Sequence, residues 1–153
     1  MSEDVARRLA QLDSPVAQLL CRRIVSATAD GNVTLEFEAA LAFCNENGAV
    51  QGGLVAAMLD ATLGNAVKAT LSPGQWPATL ELSTRFLRPA QMGRLIGTGQ
   101  VTHRSRTLAV AQADLRDQDG QLLAQAASTK LIKDRRPGAP AGEGNLARPD
   151  ATP

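Results

Sequence analysis

The chain contains no tyrosine, and aromatic residues make up only 3% of it. A pocket walled by stacked rings is therefore not expected, although Leu and Met can line a site for an aryl group. There is one histidine, His103, and there are two cysteines, Cys21 and Cys44. No His/Cys cluster is available for zinc or another metal. A Ser-His-Asp triad has no support beyond His103, which reads as a surface residue in a turn. Cys21 and Cys44 stand among apolar neighbours without metal or redox spacing, so buried free thiols in a reducing compartment are expected.

Charge of one sign is also missing. The formal net charge is +1, which argues against nucleic acid and membrane surfaces as principal partners. No apolar run reaches the roughly 18–20 residues of a spanning helix. The opening stretch MSEDVARRLAQLDSP carries acids and lacks the apolar centre of a secretory signal. No glycine-rich loop of the P-loop or dinucleotide type is found. A cytoplasmic location is the expectation.

What is present is enough apolar residue, 44% of 153, for one buried core. Val5, Leu9 and Leu12 have helical spacing. Ser14 can cap a turn that Pro15 opens. Strands are expected over 23–29 and 33–39, around the turn Asp30-Gly31-Asn32, with Val33, Leu35 and Phe37 on the buried face. Residues 43–50 are polar and glycine-containing, so a loop is expected there. An alanine-rich run without proline, Gly52 to about Leu71, reads as a long helix that Ser72-Pro73-Gly74 ends. Four further strands follow over 78–87, 94–102, 107–116 and 122–132. His103-Arg104-Ser105-Arg106 and Asp117-Gln118-Asp119-Gly120 are expected as hairpin turns. Residues 1–133 are thus read as a single α+β domain. The stretch 134–153, rich in Pro, Gly and Ala, is read as a disordered tail. A helix apolar almost all round needs cover on most sides, and a curved antiparallel sheet wrapped around it provides that.

Within this helix Val55, Leu59, Leu63 and Val67 recur every four residues as a bulky stripe. Gly53, Ala56, Ala57, Asp60 and Gly64 form a small-residue stripe roughly opposite. Asp60 is the helix's only acid. The plainer reading is a carboxylate bonded to a nearby hydroxyl or backbone N–H. The functional reading is a catalytic base or nucleophile at a cleft. Gly52-Gly53 leaves first-turn N–H groups free, backed by the helix dipole, and such a terminus can hold an oxyanion or serve as simple helix entry.

Asn45, Gly48, Gln51-Gly52-Gly53 and Asp60 together resemble the signature of PaaI-type hotdog acyl-CoA thioesterases. The segment from Ala78 through Arg88-Pro89-Ala90 is similar to that family's next strand, and Asp117 to Lys130 to its last hairpin. The resemblance spans roughly residues 14 to 133 and implies a hotdog fold. It further implies thioester hydrolysis of a small, medium-chain or aryl acyl-CoA, with no cofactor beyond the CoA of the substrate. Asp60 would be nucleophile or general base, and the Gly52 N–H would polarise the carbonyl. Asn45 would place the thioester or the water, and Thr79 would orient that water or Asp60. The family's site lies between protomers, which implies a homodimer or homotetramer. The family has His where this chain has Gln51. Gln can donate to a carbonyl but does not titrate near neutral pH, so an acyl-CoA binder without hydrolysis is the alternative. A hotdog dehydratase needs a His with an acid, a pair this helix region lacks. Gly53, Arg88, Arg104 and Arg106 are candidates for substrate contact, the arginines through CoA phosphates or otherwise as solvated surface groups.

Overall fold

A computed structural model of the chain describes residues 2–135. Helix α1 (Ser2–Ala10) and the short α2 (Pro15–Leu19) precede strands β1 (Arg23–Ala27) and β2 (Val33–Ala39). A single 3-10 turn, Leu41–Phe43, leads to the long helix α3 (Gly52–Ala69). Strands β3 (Gln75–Phe86), β4 (Gly93–Arg104), β5 (Leu108–Asp117) and β6 (Leu122–Asp134) complete the described chain. The strands form one antiparallel sheet in the order β1-β2-β4-β5-β6-β3.

Helix α3 packs on β2 through β6. Its bulky stripe, Val55, Leu59, Leu63 and Val67, is buried together with Met58. Phe37, Leu35, Leu95 and Leu115 meet it from the sheet. Each such side chain contributes about 1.5–3 kcal/mol by leaving water, so the apolar stripe is what seats the helix. The seat is tightest at β4. A Cβ added at Gly97 would lie 2.3 Å from the Thr62 Oγ1, so only glycine lets helix and sheet approach this closely. The result is the hotdog architecture expected for the chain.

Several boundaries differ from the sequence reading, each for a local reason. β1 stops at Ala27 rather than residue 29, because Thr28 already bonds across the Asp30-Gly31-Asn32 turn. β3 begins at Gln75 and includes Pro77, which an edge strand tolerates. His103 and Arg104 belong to β4 rather than to a turn, since a bulge after Val101 lets the pairing run on to Arg104 and leaves a tighter hairpin at 105–107. β6 continues through Asp134, and the Arg135 N–H donates to the Gly74 carbonyl at 2.7 Å, so the domain runs past residue 133. The rest of the expected tail lies outside the described residues.

The cysteines are corrected too. Cys21 follows α2 with a left-handed φ of 48° and is exposed, and Cys44 is half-buried. The apolar run Leu19-Leu20-Cys21 splits at the helix end, where Leu20 turns inward and Leu19 outward.

Candidate active site

Asp60 sits in the middle of α3, on the face that looks toward β3 and β6. Thr79 on β3 pairs in register with Lys130 on β6, and the sheet shifts register just after Thr79. A bulge of this kind re-aims neighbouring side chains. The three residues form a closed triangle. The Lys130 ammonium donates to Asp60 Oδ1 at 2.8 Å and to Thr79 Oγ1 at 2.7 Å. The Thr79 hydroxyl donates to the same Oδ1 at 3.2 Å. Asp60 Oδ2 has no partner among the described residues.

The two ions differ in exposure. The Lys130 side chain is 2% exposed and that of Asp60 43%. A buried ammonium without a partner is costly, so Lys130 is bound to this carboxylate. The plainer reading of Asp60 is half met, since a hydroxyl does bond it, but an ammonium holds it as well. Lys130 was not among the residues singled out from the sequence. The signal was available, because it shares the inward phase of β6 with Ala124, Ala126, Ser128 and Ile132. A lysine in that phase needs an acid.

The triangle borders a cavity of about 260 Å³. Ala57 and Gly64 of the small-residue stripe line it, with Asp60 between them and Ala61 beside it. No Cβ would meet anything within 4 Å at Gly64, so the stripe leaves open space, as its small residues suggested.

The start of the helix forms a second locus. Gln51 is the N-cap residue, its side chain making no capping bond, and its carbonyl accepts from Leu54 and Val55. The N–H groups of Gly52 and Gly53 therefore remain free among the described residues. Asn45 orders the preceding loop, its Oδ1 accepting from the N–H groups of Asn47 at 3.0 Å and Ala49 at 3.3 Å. The Phe86 ring lies against Gly52.

Within one chain these loci stay apart. Gly52 and Asp60 are eight residues apart on one helix, about 12 Å along its axis, and Asn45, Gln51, Gly52 and Gly53 do not line the cavity at Asp60. The candidate arginines also separate. Arg88 bonds the Leu122 carbonyl, and the neighbouring Leu87 and Phe86 put it near the helix start. Arg104 bonds Thr70, at the far end of α3, and Arg106 follows it in the adjoining hairpin. His103 is exposed on β4, away from Asp60. Among the described residues no group of His, Cys, Asp and Glu side chains is arranged to hold a metal.

Comparison with known proteins agrees with this fold. Residues 47–124 match the family described as the thioesterase superfamily. A solved structure of a phenylacetic acid degradation-related protein from Ralstonia eutropha JMP134, provisionally named a thioesterase, is 36% identical with a TM-score of 0.76, over 83% of this chain and 98% of that one. The E. coli PaaI protein from the phenylacetic acid degradation operon has a TM-score of 0.78 over 88% of this chain and 96% of its own, at 18% identity, a likeness of fold. A Saccharolobus solfataricus protein provisionally named an esterase is 28% identical over 67% of this chain and 72% of its own. By fold and by sequence, the chain belongs to the thioesterase superfamily.

Proposed function

We propose that the protein hydrolyses acyl-CoA thioesters as a homodimer, with Asp60 of one protomer acting on a carbonyl held by the Gly52 N–H of the other. The observation that carries this is the Asp60 carboxylate, anchored through Oδ1 by Lys130 and Thr79 and free at Oδ2 beside a cavity. An anchored carboxylate with one open oxygen can take a proton from water or attack the carbonyl itself. In the water route, the water oxygen bonds to the carbonyl carbon and its proton passes to Oδ2. The negative charge on the carbonyl oxygen is met by the Gly52 N–H at the positive end of α3. Collapse breaks the carbon–sulfur bond, and the proton goes to the departing thiolate.

Two observations favour a dimer. The edge of β3 away from β6 is unpaired among the described residues, and Trp76, Leu80 and Phe86 on this strand are exposed. A twelve-residue open edge needs cover. The small stripe also suits a two-fold axis. An antiparallel crossing of two α3 helices at Ala56 and Ala57 brings residue 52 of one near residue 60 of the other, closing the 12 Å gap that one chain leaves. Gln51 would then donate to the thioester carbonyl, Asn45 would hold the loop that presents Gly52, and Arg88, on the same side, would meet CoA phosphates. Arg104 and Arg106 lie too far from the helix start to share that task within one protomer.

Thiol release from a panel of acyl-CoAs, by the wild type and by Asp60→Asn, tests the proposal. We expect a loss of about 10²-fold or more in kcat for Asp60→Asn. Equal rates would remove Asp60 from the chemistry. Tight binding without turnover would select the non-catalytic acyl-CoA-binding alternative that Gln51 raises.

A further inference from the structure

The cavity beside Asp60 runs past Gly64 to Asn65 and Lys68 on the next turns of α3, and Arg22, just after α2, joins its wall. Its charged lining is Arg22, Lys68, Lys130 and Asp60. Lys130 is engaged by Asp60. No ion pair among the described residues includes Arg22 or Lys68, so the far end carries two positive charges that only the non-contacting Asp13 and Asp60 offset.

Two polar atoms of its wall residues, buried out of solvent reach, have no partner among the described residues. Arg22 Nη2 donates to the Leu12 carbonyl at 3.0 Å, yet the Nε is buried with no acceptor. Asn65 is 1% exposed. Its Nδ2 donates to the Ala61 carbonyl at 2.7 Å, while its Oδ1 has no donor. Burial pushes the Lys68 ammonium below the usual lysine range, and repulsion from Arg22 and Lys130 adds to this against the attraction of Asp60. Burial likewise lowers Arg22, opposed by Asp13. Asp13 itself is exposed and already bonded by Gln18 and by the Ser14 N–H, so it does not neutralise the cavity.

A methyl-terminated chain would cover the Arg22 and Lys68 cations without supplying a counter-ion, which is unfavourable. We infer that the cavity takes an acyl group ending in a carboxylate, gripped at its far end by Arg22 and Lys68. This rests on the thioesterase reading above and names its substrate class. The carboxylate supplies a counter-ion for the Arg22 guanidinium and for the Lys68 ammonium, through charge-assisted bonds. Lys68 stands two turns beyond Asp60, and its side chain leans back toward the helix start, which suits a chain of about four to six carbons.

Thiol release is measured with succinyl-, glutaryl- and adipyl-CoA against butyryl- and hexanoyl-CoA, for the wild type, Lys68→Met and Arg22→Met. In parallel, the melting temperature of each protein is followed with free glutarate, adipate and hexanoate. We expect kcat/KM to favour the carboxylate-ended chains by about tenfold or more, and Lys68→Met to collapse that ratio by raising turnover of the neutral chains. Lys68→Met removes no hydrogen bond among the described residues, so it decides the matter if Arg22→Met folds poorly. Hydrolysis that favours the methyl-ended chains, or a ratio untouched by Lys68→Met, overturns the inference and leaves the function standing. If no thioester is cleaved, the proposed function fails and the binding arm decides. Stabilisation of the wild type by the dicarboxylates, weakened in Lys68→Met, upholds the inference, and an equal effect of hexanoate or no effect overturns it.

Discussion

In the proposed reaction Lys130 would act through Asp60. Its ammonium and the Thr79 hydroxyl converge on one carboxylate oxygen and so fix the direction of the other. Lys130→Met should lower kcat by about 10–100-fold with little change in KM, because the open oxygen loses its aim while the binding surface stays. Thr79→Val should cost less, since it removes a neutral donor and not a charged one. Steady-state kinetics on both variants checks the order of the two losses. Lys68 presents the opposite balance. Its lowered pKa means that the unfolded chain holds a proton more readily than the folded one does. Lys68 therefore lends stability above the ordinary value of 10.5, and that stability is lost as pH falls through its lowered folded value. Lys68→Met should raise the melting temperature at neutral pH, by about 2–4 °C for each kcal/mol of stability gained in a chain of this size. The gain should fade as the pH climbs toward 10.5. A melting series across pH measures it. A residue that weakens the free fold yet lines the cavity is what a binding role predicts.

Among the elements, α3 was the most legible in the sequence. Its bulky apolar residues repeat every four positions and are the ones buried against the sheet, so period and burial agree. The edge strand β3 was the least legible at its start. Pro77 reads as a breaker, but an edge strand needs no complete set of N–H donors, so β3 extends back to Gln75. Asp60 and Thr79 were readable, as a lone acid among small residues and through a family resemblance. Lys130 was missed because charge in a strand is normally read as the wet face, whereas here it occupies the inward phase. The tight seat of α3 on β4 gives a prediction at this scale. Gly97→Ala places a methyl group against Thr62, and chemical denaturation should find it destabilised by about 1–3 kcal/mol. An unchanged midpoint would mean that helix and sheet are less closely packed than described.

At the scale of the whole molecule, the proposed site needs two chains. One chain separates Gly52 from Asp60 by about 12 Å along α3 and leaves the β3 edge without a partner strand among the described residues. Leu80→Lys on that strand should weaken the dimer, seen as a lower mass in light scattering, and activity should fall with it. The most direct test mixes two inactive proteins. Asp60→Asn lacks the carboxylate, and Gly52→Pro lacks the N–H at a helix position that accepts proline. Each alone should release almost no thiol from acyl-CoA. After joint refolding, half of the dimers are mixed, each with one intact site, so about a quarter of the wild-type rate should return. No recovery, from mixed dimers confirmed by mass, would contradict a site built from one chain's carboxylate and the other's amide.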